Sequence, residues 1–358
     1  MTSALVTLTS LALAWPNSVS QPGKDGTRRL HFVTSVSTEP AKGAHLRAAS
    51  PGEHKTFLVG TAMVELSVPA PLGQGETIEV RTEIWYPALE RAERLVPDTA
   101  DGPYPLIVFS QGFDLAVSAY SSLLGHWASA GFMVAAPTYP YTSPSAPLDE
   151  ADILNHPGEL RSVISDLTNG VHHTGSALSS LANQKEIGIA GQSDGGDVTL
   201  TTAYNTCCYD PAVKAVAVLS GAELSSFGGA YFTGPQAPLL VAQGTSDTIN
   251  PPGCSAQLYD NAKGSKWYLN LLGAGHLAPY SGVDAPQTGP LAVKDAEYRR
   301  VVVEVTTNFF EAELYTTPPV RLTTTRRMAA AGDVPTVADL ASGPRAPIAA
   351  GYCPGAPA

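Results

Sequence analysis

The sequence predicts an α/β protein: one large domain on an eight-stranded, mostly parallel sheet flanked by helices, with no large cap domain. Three observations carry this expectation. Short apolar runs of strand length alternate with helically periodic stretches from about residue 57 to residue 314. One run, Leu106-Ile107-Val108-Phe109, is apolar throughout, as a strand buried on both faces of a parallel sheet is. And a chain of 358 residues, 44% of them hydrophobic, is long enough to bury a full core.

Taken in order, residues 1–55 read as a leader. Residues 4–15 are apolar and of signal-peptide length, although nothing cationic precedes Lys24 apart from the amino terminus. Export is the expectation, and the run is too short to span a bilayer. Residues 57–68 and 77–86 predict paired antiparallel strands around a Gly73-Gln74-Gly75 turn. The strand at 106–109 is followed by a helix over 118–130 and a strand over 132–136. Residues 159–171 place Leu160, Val163, Ile164, Leu167 and Val171 on one helical face. Strands over 187–190, 213–219, 239–241 and 267–272 complete the eight. A last helix is expected over 295–314, where Tyr298, Val301, Val302, Val305 and Phe309 fall on one face. The folded domain is therefore expected over 56–315, and 316–358, rich in Thr, Pro, Ala and Gly, as an extended tail.

Composition excludes several roles. Lys and Arg number 21 against 32 Asp and Glu, a formal charge of −11, and no basic cluster is present to neutralise a phosphate backbone. Nucleic acid is not an expected partner, nor is stable membrane insertion, and a monomer is expected. The four cysteines, Cys207, Cys208, Cys254 and Cys353, fit no zinc spacing. Free thiols and disulfides both stay open; adjacent cysteines rarely bridge each other, and Cys353 is the freer partner for Cys254. His172-His173 reads as a solvated helix end rather than a metal pair, because neighbours on a helix point about 100° apart.

The chemistry-bearing motif is Gly191-Gln192-Ser193-Asp194-Gly195. It follows the apolar run at 187–190 and precedes a helical stretch, so it reads as a strand–turn–helix elbow that exposes a nucleophilic serine hydroxyl. Glycines two residues to either side let strand and helix approach closely. Such a nucleophile needs a base and an orienting carboxylate further along the chain, in the order acid then histidine. His276, in Gly273-Ala274-Gly275-His276 after the strand over 267–272, is the one histidine beyond residue 173. Asp247, just past the strand over 239–241, is the acid, with Glu223 the runner-up. Oxyanion donors are expected from the backbone N–H groups of Asp194 and Phe113, the latter in the loop Ser110-Gln111-Gly112-Phe113. Gln111, Gln192, Tyr139 and Tyr231 are candidate substrate contacts. No metal or other cofactor is expected. The segment over 220–237 is too short for a large cap, which implies an open cleft.

These motifs resemble the dienelactone hydrolase and platelet-activating-factor acetylhydrolase-like branch of the α/β-hydrolases over about residues 57–314. The carriers are Ile84-Trp85-Tyr86-Pro87-Ala88, Gly102-Pro103-Tyr104-Pro105-Leu106 with the strand behind it, the elbow, and Gly275-His276. The resemblance implies a cofactor-free serine hydrolase of carboxylic esters, with Ser193, Asp247 and His276 as its triad. The chain departs from the family in having Gln111-Gly112 where His-Gly is usual, which touches substrate choice. Asp247-Thr248-Ile249-Asn250-Pro251 is also similar to the acid loop of cutinases and polyester hydrolases, so polyester is an alternative substrate. Acyl transfer, and a non-catalytic secreted binding protein on the same scaffold, are the rival roles.

Overall fold

The computed structural model describes residues 56–69, 77–91, 94–144, 147–169, 178, 180–282, 289–315, 317–344 and 353. The expectations for the leader, the turn at 73–75 and His172-His173 lie outside them.

Among the described residues a ten-stranded sheet is formed. Its strands are β1 (Leu58–Pro69), β2 (Thr77–Arg91), β3 (Arg94–Pro97), β4 (Tyr104–Ser110), β5 (Met133–Thr138), β6 (Ala182–Gln192), β7 (Val213–Leu219), β8 (Leu239–Gly244), β9 (Lys266–Leu271) and β10 (Val337–Ala341). The order across the sheet is β1-β2-β5-β4-β6-β7-β8-β9-β10, with β3 paired to β2. The centre from β5 to β9 is parallel, while β1, β2, β3 and β10 pair antiparallel at the margins. The helices are α1 (Ser121–Ser129), α2 (His156–Asn169), α3 (Asp194–Tyr204), α4 (Pro252–Asn261), α5 (Pro290–Leu314) and α6 (Pro318–Gly332).

Strand alternation splits the core into two layers. Leu106 and Val108 of β4 face a cluster that includes Leu160, Val163 and Leu167 of α2, Val198 of α3, and Leu258 of α4. Ile107 and Phe109 face the other layer, with Leu124 and Trp127 of α1, Val301, Val305 and Phe309 of α5, and Met328 of α6. Trp127 also donates its indole N–H to Thr306 at 3.0 Å, which ties α1 to α5.

Several expectations need correction. The sheet has ten strands rather than eight, because β2 runs on past Tyr86 and folds back into the hairpin partner β3, and because β10 adds to β9. The segment after residue 316 is not simply extended. Pro318, at the start of α6, suits a first helical turn, and β10 pairs with β9 through Val337–Leu271 and Ala341–Tyr268. Edge position explains why β10 needs so little hydrophobic patterning: each of its residues is half-buried or exposed. α5 also starts earlier than expected, at Pro290, with an exposed first turn that the apolar stripe does not reach.

The cysteines form two disulfides. Cys254 in the first turn of α4 bonds Cys353, with a Cα separation of 4.7 Å. Cys207 and Cys208 bond each other, against the expectation for adjacent cysteines. The turn after α3 holds that pair: Asn205 accepts from the Cys207 N–H through its side chain and from the Cys208 N–H through its carbonyl.

Candidate active site

Four parallel strands deliver the site to one edge of the sheet. β4 ends at Ser110 and leads into Gln111-Gly112-Phe113; β6 ends at Gln192, beside Ser193. Asp247 follows β8 by three residues and His276 follows β9 by five. Carboxyl ends of parallel strands are where an open α/β sheet presents its ligands.

Ser193 sits at φ 56° and ψ −125°, a conformation that a residue with a Cβ adopts at a cost. Its neighbours hold it there. The Ser193 N–H donates to Leu219 of β7 at 3.0 Å, and its carbonyl accepts the Asp197 N–H at 3.0 Å. The flanking glycines are required sterically: a Cβ on Gly191 would strike the Gly195 carbonyl, and one on Gly195 would strike the carbonyl of Ser110. Elbow, β4 and α3 are thus packed backbone against backbone.

The Ser193 hydroxyl lies 2.8 Å from His276 Nε2, and His276 Nδ1 lies 2.8 Å from Asp247 Oδ2. All three residues are buried. The Asp247 carboxylate is held by the N–H groups of Ile249 at 2.9 Å and Asn250 at 3.0 Å, and by the Gln243 amide at 3.2 Å. The His276 loop is anchored through Tyr280, whose hydroxyl donates to Ala242 at 3.0 Å and accepts from Ser220, and through Arg299, which donates to the Ala278 carbonyl at 3.2 Å. Glu223, the alternative acid, instead accepts from Asn261 at 2.8 Å.

Among the described residues no internal acceptor takes the N–H of Asp194 or of Phe113. Gly112 brings the second of these loops onto the elbow: a Cβ there would lie 3.2 Å from the Ser193 Cβ. Two backbone donors are thereby left beside the serine.

The four candidate substrate contacts are placed otherwise than expected. Tyr139 is fully buried, stacked on His156 at 4.0 Å with its hydroxyl 2.9 Å from that of Ser110. Gln111 turns inward, where its amide serves Pro137, Tyr139 and Ser143. Tyr231 commits its hydroxyl to Thr201 and Leu224, two turns along α3 from Ser193. Gln192 is buried between Tyr120 and His276. In each case a long polar side chain at a loop or strand end finds its partners inside the protein, which sequence alone does not distinguish from facing a cleft. Sequence reasoning misses Tyr120 for a related reason: its place at the start of an amphipathic helix reads as core, and its ring is core, but its hydroxyl reaches the elbow.

Acidic side chains under the site are held towards their neutral forms. Asp194 is pushed up to about 6 by burial, with the charge of Glu150 adding and His276 opposing. Burial raises Asp197 further, helped by Asp194 and opposed by the Ala222 N–H that it accepts. Glu159 of α2 is pushed up to about 8 by burial and then by the charge of Asp152.

The segment expected to be too short for a cap carries no helix longer than the 3-10 turn Ser225–Phe227. Two exposed apolar side chains flank these loops: Ile249, at 61% exposure, follows Asp247, and Tyr141, at 48%, precedes Thr142, whose carbonyl accepts the Asp114 N–H just past Phe113.

The family model described as chlorophyllase matches residues 74–221, which take in β2 through β7, the Gln111–Phe113 loop and the elbow. No curated protein matches the chain. The match supports the wider kinship expected from the motifs but not the dienelactone hydrolase or acetylhydrolase branch in particular. A parallel-centred sheet flanked by helices and a strained strand–serine–helix elbow give the chain the α/β-hydrolase fold, and the family match over residues 74–221 supports a carboxylic ester hydrolase.

Proposed function

We propose that the protein is a serine esterase in which Ser193, His276 and Asp247 act as a catalytic triad through an acyl-enzyme. The observation that carries this is the unbroken relay from the Ser193 hydroxyl through His276 to Asp247, at 2.8 Å for each link. His276 Nε2 takes the Ser193 proton as Oγ attacks the ester carbonyl carbon. The N–H groups of Asp194 and Phe113 donate to the oxyanion that forms. The C–O bond to the alcohol then breaks, and His276 returns its proton to the departing alkoxide. Water, deprotonated by His276, attacks the acyl-enzyme and releases the acid and Ser193. Nucleophile, base and oxyanion donors all come from the chain, so the proposed step calls for no cofactor.

Exposed Ile249 and Tyr141 favour a bulky apolar ester, and polyester is the alternative substrate on that ground. The disulfides suit an oxidising compartment, in line with export, and we expect the enzyme to work as a monomer.

The test is turnover of p-nitrophenyl esters of graded chain length, polyester film and chlorophyll, the last because the matched family bears its name. Ser193→Ala is expected to lose turnover by about 10⁴-fold or more while keeping its melting temperature. Near wild-type turnover in that variant would overturn the assignment. Added alcohols that divert the acyl group into new esters would instead identify a transferase.

A further inference from the structure

A continuous line of hydrogen bonds crosses the site beneath the triad. The Gly112 N–H donates to the Tyr120 hydroxyl at 3.3 Å, and Tyr120 donates to Gln192 Oε1 at 2.7 Å. Gln192 Nε2 lies 3.3 Å from the His276 carbonyl and 3.2 Å from His276 Nε2. The chemistry of the partners sets each direction. A carbonyl only accepts, so the Gln192 nitrogen must face His276, and its oxygen is left for Tyr120. Tyr120 already receives the Gly112 N–H and so spends its own proton on Gln192. Tyr120 and Gln192 are both fully buried, and the Tyr120 ring is fixed against Phe109 at a centroid distance of 4.7 Å. Burial raises the Tyr120 hydroxyl, the Gly112 N–H opposing and the charge of Asp194 adding, so it stays a donor at neutral pH.

We infer that Gln192, held by Tyr120, is a positioning residue that keeps His276 Nε2 a proton acceptor and joins the His276 loop to the oxyanion-side loop. This rests on the triad reading above. The Ser193 hydroxyl holds the His276 Nε2 lone pair at 2.8 Å, and the Gln192 nitrogen, which can only donate, lies 3.2 Å from the same atom, so its N–H groups favour an unprotonated Nε2 and oppose an Nε2–H. The same opposition favours the return of the proton to the departing alcohol. Through Tyr120 the amide is also fixed relative to Gly112, whose Cβ, if present, would lie 2.7 Å from Gln192 Oε1. The residue before the serine therefore sets both the proton state and the spacing of the groups on either side of it.

The experiment measures kcat, KM, melting temperature and the pH profile for Gln192→Leu, Tyr120→Phe, their double variant, Gln192→Glu and Ser193→Ala. Gln192→Leu is expected to lower kcat about 10- to 100-fold with KM within about 3-fold. Tyr120→Phe should lower kcat about 10-fold, and the double variant should be no worse than Gln192→Leu, since both cut one line. In Gln192→Glu a carboxylate beside His276 favours the imidazolium, so the acid limb of kcat/KM should move up by about one pH unit. The other charged groups facing His276, Asp247 at Nδ1 and the nearby Asp194, are common to all these variants. A purely structural role would lower the melting temperature and leave kcat of the folded protein and its pH profile in place; that result overturns the inference. If the Gln192 variants do not fold, Tyr120→Phe, which loses one hydroxyl, decides alone, and an unchanged kcat overturns it. An active Ser193→Ala overturns the triad itself, whereas an inactive Ser193→Ala beside fully active Gln192 and Tyr120 variants overturns this inference only.

Discussion

Replacing Cys254 by alanine opens the bond to Cys353 and frees a loop that the disulfide closes over a sequence separation of 99. Both cysteines are buried, packed with Ala222 and Leu224 beside the end of β7. Chain-entropy arithmetic for a closed loop of that size gives about 4.7 kcal/mol of stability. Spread over a domain of about 300 residues with about 0.6 kcal/mol/K of unfolding entropy, that is a fall of about 7 °C in melting temperature. The assay is urea and thermal unfolding of Cys254→Ala, Cys353→Ala and the double variant under non-reducing conditions. All three should lose the same stability, because each removes the one bond. Ester turnover at 25 °C should stay within about 3-fold of wild type, since the Asp247 carboxylate keeps its own local donors. Three variants as stable as the parent would refute the reasoning, as would a double variant much weaker than either single one.

Two further outcomes are expected. Asp247→Asn offers His276 Nδ1 a donor in place of an acceptor, so turnover at neutral pH should fall about 10³- to 10⁴-fold without a large change in melting temperature; steady-state kinetics beside thermal unfolding check this, and turnover above a tenth of wild type would point to another acid. Glu159 is buried with neither oxygen hydrogen-bonded among the described residues, and its carboxyl is pushed up to about 8. The folded protein thus holds this proton more tightly than the unfolded chain, so the contribution is full below about pH 4.5 and is lost as pH rises towards about 8, by at most about 3–5 kcal/mol. Glu159→Gln should flatten the urea midpoint against pH across that window, and an unchanged slope would count against it.

How much of the fold and the site is legible in the sequence depends on how local the cause is. The elbow is readable because strand, serine, helix and both flanking glycines lie within one short stretch, and the backbone contacts made at Gly191 and Gly195 are what demand glycine there. Asp247 and His276 are readable from chain order and from the strand that precedes each. β10 is not, because an edge strand with half-wet faces needs no apolar run. The inward turn of Gln111, Tyr139 and Gln192 is not readable either, since their partners lie on other elements: Ser143, His156 and Tyr120. The Cys207–Cys208 bond runs against local geometry, and the support it receives from Asn205 becomes visible only once α3 is folded.

The late arrival of β10 has a consequence for the order in which the chain is made. β9 completes the parallel run, but its outer edge is covered only by a strand that follows about 65 residues later, after α5 and α6, so during synthesis that row of amide and carbonyl groups stays open for several seconds at ordinary elongation rates. An open edge is a template for pairing with a neighbouring nascent chain. Slow elongation through the α5–α6 region, or release of a chain cut short there, would therefore favour edge-to-edge association over the native sheet, whatever the condition of the active site.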